Sequence, residues 1–190
     1  FIDRMSLWLT AWGYRPVEVP TLMPETLFRS ATEGTENRMF GIGPNLCLAP
    51  EVTNYIRALG AQRLGANKVF YVARCFRDET TTDATRLREF TQVGVEVLGD
   101  NALDCRKVAR MDAIRLFRKL LPSPDGSMMS TSWRLNDGVE RGLNLYDDSG
   151  KAFEIDARVG GRQLLGGGPY KGGAGWALGL ERLMAAMEGA

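Results

Sequence analysis

Two segments far apart in the chain each place an arginine beside an apolar run of the kind that forms a strand. The first places Arg77 after residues 69–76 and continues, past a polar gap, as residues 88–96; the second, residues 175–182, ends in Arg182. Arginine is always charged and offers a planar fork of donors that matches phosphate oxygens. Several arginines on rigid elements would suit a triphosphate and its transition state. Neither segment is a glycine-rich phosphate loop, so a nucleotide would be held in another way.

The composition is typical of an ordinary soluble globular domain. The 190 residues predict one domain, 44% apolar and 25% charged, whose net charge of +1 favours neither nucleic acid nor acidic membranes. No run of about 18 apolar residues and no signal peptide is visible, so we expect a cytoplasmic protein without a membrane partner. The absence of histidine excludes Ser-His-Asp and Cys-His nucleophiles and histidine-based zinc sites. Cys47, Cys75 and Cys105 form no metal-type pair, which predicts buried reduced thiols and no protein-bound metal.

Hydrophobic periodicity and turn residues predict a chain in which strands outnumber helices and hairpins recur. This pattern indicates the α+β class with an antiparallel sheet. Predicted helices cover residues 1–12, a stretch opening at Pro50, 103–121 and 179–188. Predicted strands cover 14–19, 46–48, 69–76, 90–98, 174–178 and segments near 127–134, 152–159 and 162–166. A hairpin loop is predicted at 78–87 and a turn at 122–126.

The predicted helix over residues 103–121 has an apolar stripe and a basic side. The stripe consists of Val108, Met111, Ile114, Phe117 and Leu121, and the cations are Arg106, Lys107, Arg110, Arg115, Arg118 and Lys119. Such a basic side is more often a solvated surface than an RNA contact, and we expect the former here.

A simple amphipathic strand would not need the three polar residues, Arg88, Gln92 and Glu96, that accompany Phe90. Glu51 stands at the predicted start of a helix, where the dipole tolerates a carboxylate and the carboxylate could receive a substrate ammonium. Gln92 and Glu96 are four apart on a predicted strand, so both face the same side as Arg88 and Phe90. One strand surface would therefore offer partners for a phosphate, an adenine ring and an amino group.

The predicted hairpin around the 78–87 loop resembles motif 2 of the class II aminoacyl-tRNA synthetases. Residues 175–182 resemble motif 3, and residues 13–21 resemble motif 1, whose proline lies at the dimer interface in that family. The three motifs occur in the family's order and cover most of the chain. The resemblance implies a single class II synthetase-like catalytic domain over residues 1–190, with an antiparallel sheet flanked by helices, and a homodimer.

Within that superfamily the chain is most similar to histidyl-tRNA synthetase. Residues 141–146 read Arg-Gly-Leu-Asn-Leu-Tyr and precede Phe-Glu at 153–154, which is similar to the family's Arg-Gly-Leu-Asp-Tyr-Tyr element. Residues 50–53, Pro-Glu-Val-Thr, resemble the family's Pro-Glu-Gly-Thr, and the glycine-rich stretch around Tyr170 resembles its second histidine-specific element.

Departures from the family pattern bear on specificity. Asn144 and Leu145 replace an aspartate and a tyrosine, and Pro169 stands where the family usually has arginine. The chain ends eight residues after Arg182, so the sequence predicts no anticodon-binding domain. We therefore expect that codon-specific tRNA charging would need more than this segment.

The resemblance implies a nucleotide-binding role for five residues. Arg77 would bind the α-phosphate and the amino-acid carboxylate, Glu79 would contact the adenine edge, and Phe90 would stack on its ring. Arg86 and Arg182 would hold the β- and γ-phosphates.

The resemblance also implies the catalytic pair and the amino-acid pocket. Arg77 and Arg141 would be catalytic, with Arg141 at the α-phosphate in a place that other class II enzymes give to a metal. The α-amino group would be held by Glu51, Thr53 and Gln92, and an imidazole by Glu96 and Tyr146, with Tyr170 closing the pocket.

The implied reaction is ATP-dependent and Mg²⁺-dependent formation of an aminoacyl-adenylate, with histidine favoured and tRNA or another molecule as acceptor. Two alternatives are kept. One is a non-catalytic, histidine-binding regulatory paralogue; retention of Arg77, Glu79, Arg141 and Arg182 argues against it. The other is a ligase that passes an amino acid to a carrier protein or small acceptor, and Glu96 would discriminate because a buried carboxylate favours a basic or hydrogen-bonding side chain.

Overall fold

The computed structural model of the protein describes residues 1–28, 39–83, 86–122, 132–139, 151–158 and 161–188. The helices are α1 (Ile2–Ala11), α2 (Thr53–Leu64), α3 (Ala102–Leu120) and α4 (Leu180–Glu188), with a 3₁₀ turn at Glu25–Leu27. The strands are β1 (Arg15–Pro16), β2 (Leu22–Pro24), β3 (Leu46–Leu48), β4 (Lys68–Phe76), β5 (Glu89–Leu98), β6 (Trp133–Val139), β7 (Ala152–Ala157), β8 (Gln163–Tyr170) and β9 (Gly173–Gly179).

Seven of these strands form one sheet in the order β1-β4-β5-β9-β8-β7-β6, and β2 pairs with β3 separately. β1 runs parallel to β4, and the other neighbouring strands of the large sheet are antiparallel. The predicted hairpin is β4 and β5, whose register places Phe76 opposite Glu89. The structure therefore confirms the α+β class and the antiparallel sheet flanked by helices.

The central strand β5 divides its side chains between two cores, because successive residues of a strand point to opposite faces. Val93, Val95 and Val97 pack in the larger core, together with residues of α1, α3 and α4. Phe90 and Leu98 pack in a smaller core against α2. The polar side chains of β5 share this second face, so the candidate site lies on the α2 side of the sheet.

Helix α3 packs on the first face, but not along the predicted stripe. Val108 is 40% exposed and Met111 is 57% exposed, so the predicted apolar face was wrong at these two positions. The helix instead buries Cys105, Ala109, Ala113, Leu116, Phe117 and Leu120. Alanines let a helix approach a sheet closely, and hydrophobic periodicity gives such small residues little weight. The start of α3 is capped by Asn101, whose side chain accepts hydrogen bonds from the Leu103 and Asp104 amides.

The strand predicted at residues 14–19 is shorter than expected. Only Arg15–Pro16 forms a strand, and the Val17 amide adds one further hydrogen bond to the Phe70 carbonyl at 2.9 Å. Pro16 and Pro20 have no amide hydrogen to donate, which limits pairing in this segment. The adjacent short strand β2 was not predicted.

The helix predicted to open at Pro50 begins three residues later, at Thr53. The intervening residues are used for other contacts: the Pro50 carbonyl accepts a hydrogen bond from Arg77, and the Glu51 carboxylate accepts one from the Asn54 amide. Helix α2 is also interrupted at Gly60, whose φ of 67° is non-helical.

Strand β8 extends well past the predicted residues 162–166 and includes the triple glycine. A Cβ atom at Gly167 would lie 2.5 Å from the Gly175 carbonyl oxygen and 2.7 Å from the Cβ of Trp176, so only glycine fits there. The strand predicted near 127–134 is described only from Ser132 onward, as β6, and most of the predicted 122–126 turn lies outside the described residues. Among the helices described, none is long and apolar enough to cross a membrane.

Candidate active site

A cavity opens on the α2 face of the sheet, at the point where β4 and β9 end and α4 begins. It brings together eight of the residues singled out from the sequence, which are Glu51, Thr53, Arg77, Glu79, Arg86, Phe90, Gln92 and Arg182. Its remaining lining residues are Leu87, Gln163, Leu164, Gly166, Trp176, Ala177, Gly179 and Glu181. The antiparallel register explains the convergence, because Gln92 on β5 lies directly opposite Gly179 at the end of β9.

Arg77 is held in place at the mouth of the β4–β5 hairpin. Its Nε donates a 2.9 Å hydrogen bond to the Pro50 carbonyl, and its guanidinium carbon lies 5.0 Å from the centre of the Phe90 ring. Its backbone amide donates to the Arg88 carbonyl at 2.8 Å. These contacts fix the base of the fork, while the terminal nitrogens have no hydrogen-bond partner among the described residues. An adenine ring stacked on Phe90 would use the face that Arg77 leaves uncovered.

Three guanidinium groups, those of Arg77, Arg86 and Arg182, face the same cavity. The pKa of Arg182 is lowered by burial and, further, by the positive charges of Arg77 and Arg86, while Glu79 and Asp83 act in the opposite direction. The backbone of Arg86 is positioned by a 2.8 Å hydrogen bond from its amide to the Asp83 carboxylate. Positive charges held close together at one wall of the cavity repel one another, and a bound anion between them would offset that repulsion. The arrangement therefore suits a polyanionic ligand.

Glu51 lies two residues before α2 begins, so it precedes the helix that the sequence predicted it would open. Its carboxylate is buried and accepts the Asn54 amide at 3.1 Å, which satisfies a donor of the first helical turn. Burial raises the pKa of Glu51, and hydrogen bonds from the Asn54 and Thr53 backbone together with the charges of Arg77 and Arg57 oppose that rise. Glu51 is thus a fixed acceptor at the edge of the cavity.

Gln92 is oriented from the neighbouring strand by a buried thiol. The Cys75 sulfur donates to the Gln92 side-chain oxygen at 3.4 Å. Burial raises the pKa of Cys75 to about 12, so the thiol remains protonated and able to donate. The expectation of buried reduced thiols holds at all three positions, since Cys47, Cys75 and Cys105 are buried and unpaired by disulfides.

Glu96 lies deeper than the cavity wall, in a closed network. Its two oxygens accept hydrogen bonds from the Thr53 hydroxyl at 2.8 Å and the Tyr170 hydroxyl at 2.7 Å. Neither Glu96 nor Tyr170 lines the cavity, and they are 0% and 1% exposed. Burial raises the pKa of Glu96 to about 8, although both hydroxyl hydrogen bonds lower it. The guanidinium of Arg57 covers the Tyr170 ring at 5.0 Å.

Two further polar residues of the cavity received no role from the sequence. Glu181 accepts the Thr91 amide at 2.8 and 2.9 Å through its two oxygens, which ties the first turn of α4 to β5. Gln163 donates a 2.6 Å hydrogen bond to Glu154. Glu181 stands beside Arg182 in the second arginine segment, so that segment contained its signal, whereas no sequence pattern pointed to Gln163.

The remaining predicted site residues, Arg141 and Tyr146, lie outside the described residues, as do the divergent positions Asn144 and Leu145. Their proposed roles stay predictions.

Two solved structures that share this arrangement of strands and helices are aminoacyl-tRNA synthetases. The chain superposes on pyrrolysyl-tRNA synthetase of Desulfitobacterium hafniense with a TM-score of 0.73 and 20% sequence identity, covering 99% of this chain and 66% of that one. It superposes on apo histidyl-tRNA synthetase of S. aureus with a TM-score of 0.65 and 20% identity, covering 98% of this chain and 64% of that one. The fold is therefore that of the class II aminoacyl-tRNA synthetases.

Sequence comparison identifies the family within that class. The family described as Histidyl-tRNA synthetase matches residues 2–125. The chain belongs to the histidyl-tRNA synthetase family.

Similar curated proteins carry two different names. Histidine–tRNA ligase of Nitrosomonas eutropha is 36% identical over 138 residues, which are 66% of this chain and 32% of that protein. The ligase of Aromatoleum aromaticum is 34% identical over 55% of this chain and 26% of its own length. The ATP phosphoribosyltransferase regulatory subunit of Bacillus pumilus is 31% identical over 50% of this chain and 26% of that protein. The chain thus spans about a quarter to a third of these relatives.

Proposed function

We propose that this chain activates an amino acid with ATP, histidine being the favoured substrate, to form an aminoacyl-adenylate. The observation that carries the proposal is the convergence of Arg77, Arg86 and Arg182 on one cavity that also presents Phe90 and Glu79. An aromatic face and a nearby acceptor suit an adenine, and three guanidinium groups suit a triphosphate.

In this proposal the reaction is an in-line displacement at the α-phosphorus. The amino-acid carboxylate is already ionised at neutral pH, so no protein base is required. Its oxygen forms a bond to the α-phosphorus as the bond to the bridging oxygen breaks, and pyrophosphate leaves with that electron pair. Arg77, preoriented by Pro50, and Arg141 stabilise the developing charge. Arg86 and Arg182 bind the leaving pyrophosphate.

The amino-acid end of the ligand would lie toward α2. Glu51, Thr53 and Gln92 line the cavity and would supply acceptors for an α-ammonium group. Glu96 and Tyr146 would contact the imidazole, and Tyr170 would close the pocket. Because Tyr170 already occupies one oxygen of Glu96, imidazole contact requires that hydrogen bond to be shared or exchanged.

Mg²⁺ is proposed to arrive on the triphosphate. The described residues contain no group of three acidic, cysteine or histidine side chains that could hold a metal ion by themselves. Mg²⁺ in nucleotide sites is commonly bound by one or two carboxylates plus substrate phosphates, and Glu181 beside Arg182 fits that requirement. Bound there, the ion would supply charge neutralisation of the phosphates.

The same proposal includes transfer of the activated amino acid to tRNA or another acceptor, a cytoplasmic setting and a homodimer. The names of the histidine–tRNA ligase relatives support the acceptor, and the motif 1 resemblance at residues 13–21 supports the dimer. A second candidate, a histidine-binding regulatory paralogue without catalysis, is favoured by the relatives named as regulatory subunits.

ATP–pyrophosphate exchange with each of the twenty amino acids tests the proposal. We expect exchange with histidine, reduced about a hundredfold or more in Arg77→Ala and Arg141→Ala. The matched control is Arg74→Gln, an exposed arginine of β4 whose partner is Glu89. Exchange with another amino acid alone would refute the histidine pocket. Histidine binding by calorimetry without any exchange would refute catalysis and support the regulatory candidate.

A further inference from the structure

A row of exposed cations runs along the junction of α1 and α3, on the sheet face opposite the cavity. We define this basic groove by Arg4, Trp8 and Trp12 of α1 and by Arg115, Arg118 and Lys119 of α3. The Lys119 ammonium lies 5.2 Å and the Arg4 guanidinium 5.4 Å from the Trp8 ring centre, and the Arg115 guanidinium lies 4.2 Å from that of Trp12. The four cationic residues are exposed, and the two tryptophans are half-buried.

The contacts show that the two helices run in opposite directions along the groove. Trp8 and Trp12 are four residues apart on α1, and their partners Lys119 and Arg115 are four residues apart, in reverse order, on α3. The step between the two tryptophans is one helical turn, about 6 Å along the axis, and the Arg4 guanidinium lies over the same Trp8 ring as the Lys119 ammonium. The cations over Trp8 and the cation over Trp12 are therefore about one helical turn apart, a spacing close to that of successive phosphates along an extended single strand.

The cations of α3 fall into two groups with different surroundings. Arg106 and Arg110 both bind Asp137 of β6, and Lys107 pairs with Asp104. By contrast, Arg4, Arg115, Arg118 and Lys119 form no ion pair with any residue that the structure describes. The nearby Asp112 is already engaged by the Tyr14 hydroxyl at 2.8 Å and by Lys68 at 3.3 Å. The positive charge of the groove is therefore not neutralised from within the described protein.

Arg4, Arg115 and Lys119 lie against tryptophan rings, and this contact leaves them available to a ligand. A guanidinium that lies against an indole ring is held by the ring face and keeps its N–H groups at its outer edge, where they can donate to phosphate. Preorganisation of this kind lowers the entropy lost when a phosphate binds. The net charge of the whole chain is only +1, so the groove is a local feature and not part of a generally basic surface.

We propose that the basic groove binds the phosphate backbone of a single-stranded RNA segment. The choice of RNA over another polyanion rests on the proposed function, in which a tRNA is an acceptor. The groove is separate from the cavity, so it would act as a docking surface and not as a part of the reaction centre. Contact through phosphates makes the binding independent of base sequence and sensitive to salt.

Binding is tested with a fluorescently labelled oligouridylate, without ATP or amino acid, so that its failure is distinguishable from failure of activation. With four cations engaged, the logarithm of the affinity should fall against the logarithm of salt concentration with a slope of about −3, and the double variant R115Q/K119Q should bring the slope to about −1.4. At low salt the double variant should bind about tenfold more weakly. The control is R74Q/K107Q, which removes two exposed cations elsewhere, at Arg74 and Lys107.

Tryptophan fluorescence gives a second readout. Trp133 and Trp176 are 6% and 2% exposed, so quenching by added oligouridylate should come from Trp8 and Trp12. The double variant should keep normal ATP–pyrophosphate exchange. The proposal is overturned by an identical salt slope in both double variants, or by equal affinity for an acidic peptide of matched charge, which would indicate a protein partner. A change in sedimentation of R115Q/K119Q without RNA would overturn it in favour of a second copy of this chain.

Discussion

The Tyr170 hydroxyl donates a 2.7 Å hydrogen bond to the Glu96 carboxylate, although 74 residues separate the two in the chain. Thr53 contacts the other oxygen of the same side chain at 2.8 Å, so one buried carboxyl group links α2, β5 and β8. The interaction lies directly behind the cavity wall. A carboxyl group in this position stabilises the fold only when its hydrogen-bond partners are present, because an unsatisfied buried polar group is costly.

Removing the Tyr170 hydroxyl should destabilise the protein. We expect Tyr170→Phe to lower the free energy of unfolding by about 1–3 kcal/mol, since the buried Glu96 carboxyl group would lose a hydrogen-bond partner without gaining water. Urea denaturation measures the change. The control is Tyr55→Phe on α2, because Tyr55 has no hydroxyl partner among the described residues and should change stability by less than about 0.5 kcal/mol. Equal effects of both substitutions would contradict the network.

Gly175 is required because the Glu96 carboxylate lies against it. A Cβ atom at Gly175 would be 1.8 Å from a Glu96 carboxylate oxygen and 2.4 Å from the Val95 carbonyl oxygen. We expect Gly175→Ala to cost about 2–3 kcal/mol in urea denaturation. At Gly179 the nearest atoms are those of Arg182 at 3.6 Å or more, so Gly179→Ala should be nearly neutral. A Gly175→Ala protein as stable as wild type would show that Glu96 is not held in this place.

The raised pKa of Glu96 predicts how stability depends on pH. Its pKa rises from an ordinary 4.5 to about 8, so the folded state binds more protons than the unfolded state between these values. The stabilisation that Glu96 contributes is therefore fully present below about pH 4.5 and is lost as the pH rises toward 8. Over this range the free energy of unfolding falls by at most about 1.4 kcal/mol per pH unit.

The measurement is thermal or urea unfolding across pH 5–8 for wild type and Glu96→Gln. The variant should show a shallower decline, with the remaining slope coming from Glu51, whose pKa is also raised by burial. Superimposable pH profiles would contradict an uncharged, buried Glu96 at low pH.

Much of the fold could be predicted because its strands are long and their partners adjacent. β4 and β5 were recognisable from apolar runs around a polar loop, and their antiparallel register confirms that expectation. Long periodic segments such as α1 were also recovered. Features that depend on tertiary contacts were not predicted. They include the buried face of α3, the short strand β2 and the extension of β8 through its glycines.

The residues of the candidate site also include some that could be predicted from the sequence and some that could not. Arg77 and Arg182 could be predicted because charge beside an apolar run is visible in the sequence, whereas Arg86, in the loop between β4 and β5, was implied by the family resemblance. The structure brings all three to one cavity. The hydrogen bond between Tyr170 and Glu96 could not be predicted, because it joins two side chains that only the folded sheet brings together. Gln163 carries no local pattern, and only the pairing of β8 with its neighbours brings it to the cavity.

Calorimetric titration with ATP, ADP and AMP in the presence of Mg²⁺ shows whether the three cavity arginines form a triphosphate site. We predict that affinity rises with each phosphate, and that Arg182→Gln or Arg86→Gln weakens ATP by about tenfold while changing AMP little. Arg74→Gln should leave all three nucleotides unchanged. Equal affinities for ATP and AMP in the wild-type protein, or no binding of either, would contradict the account.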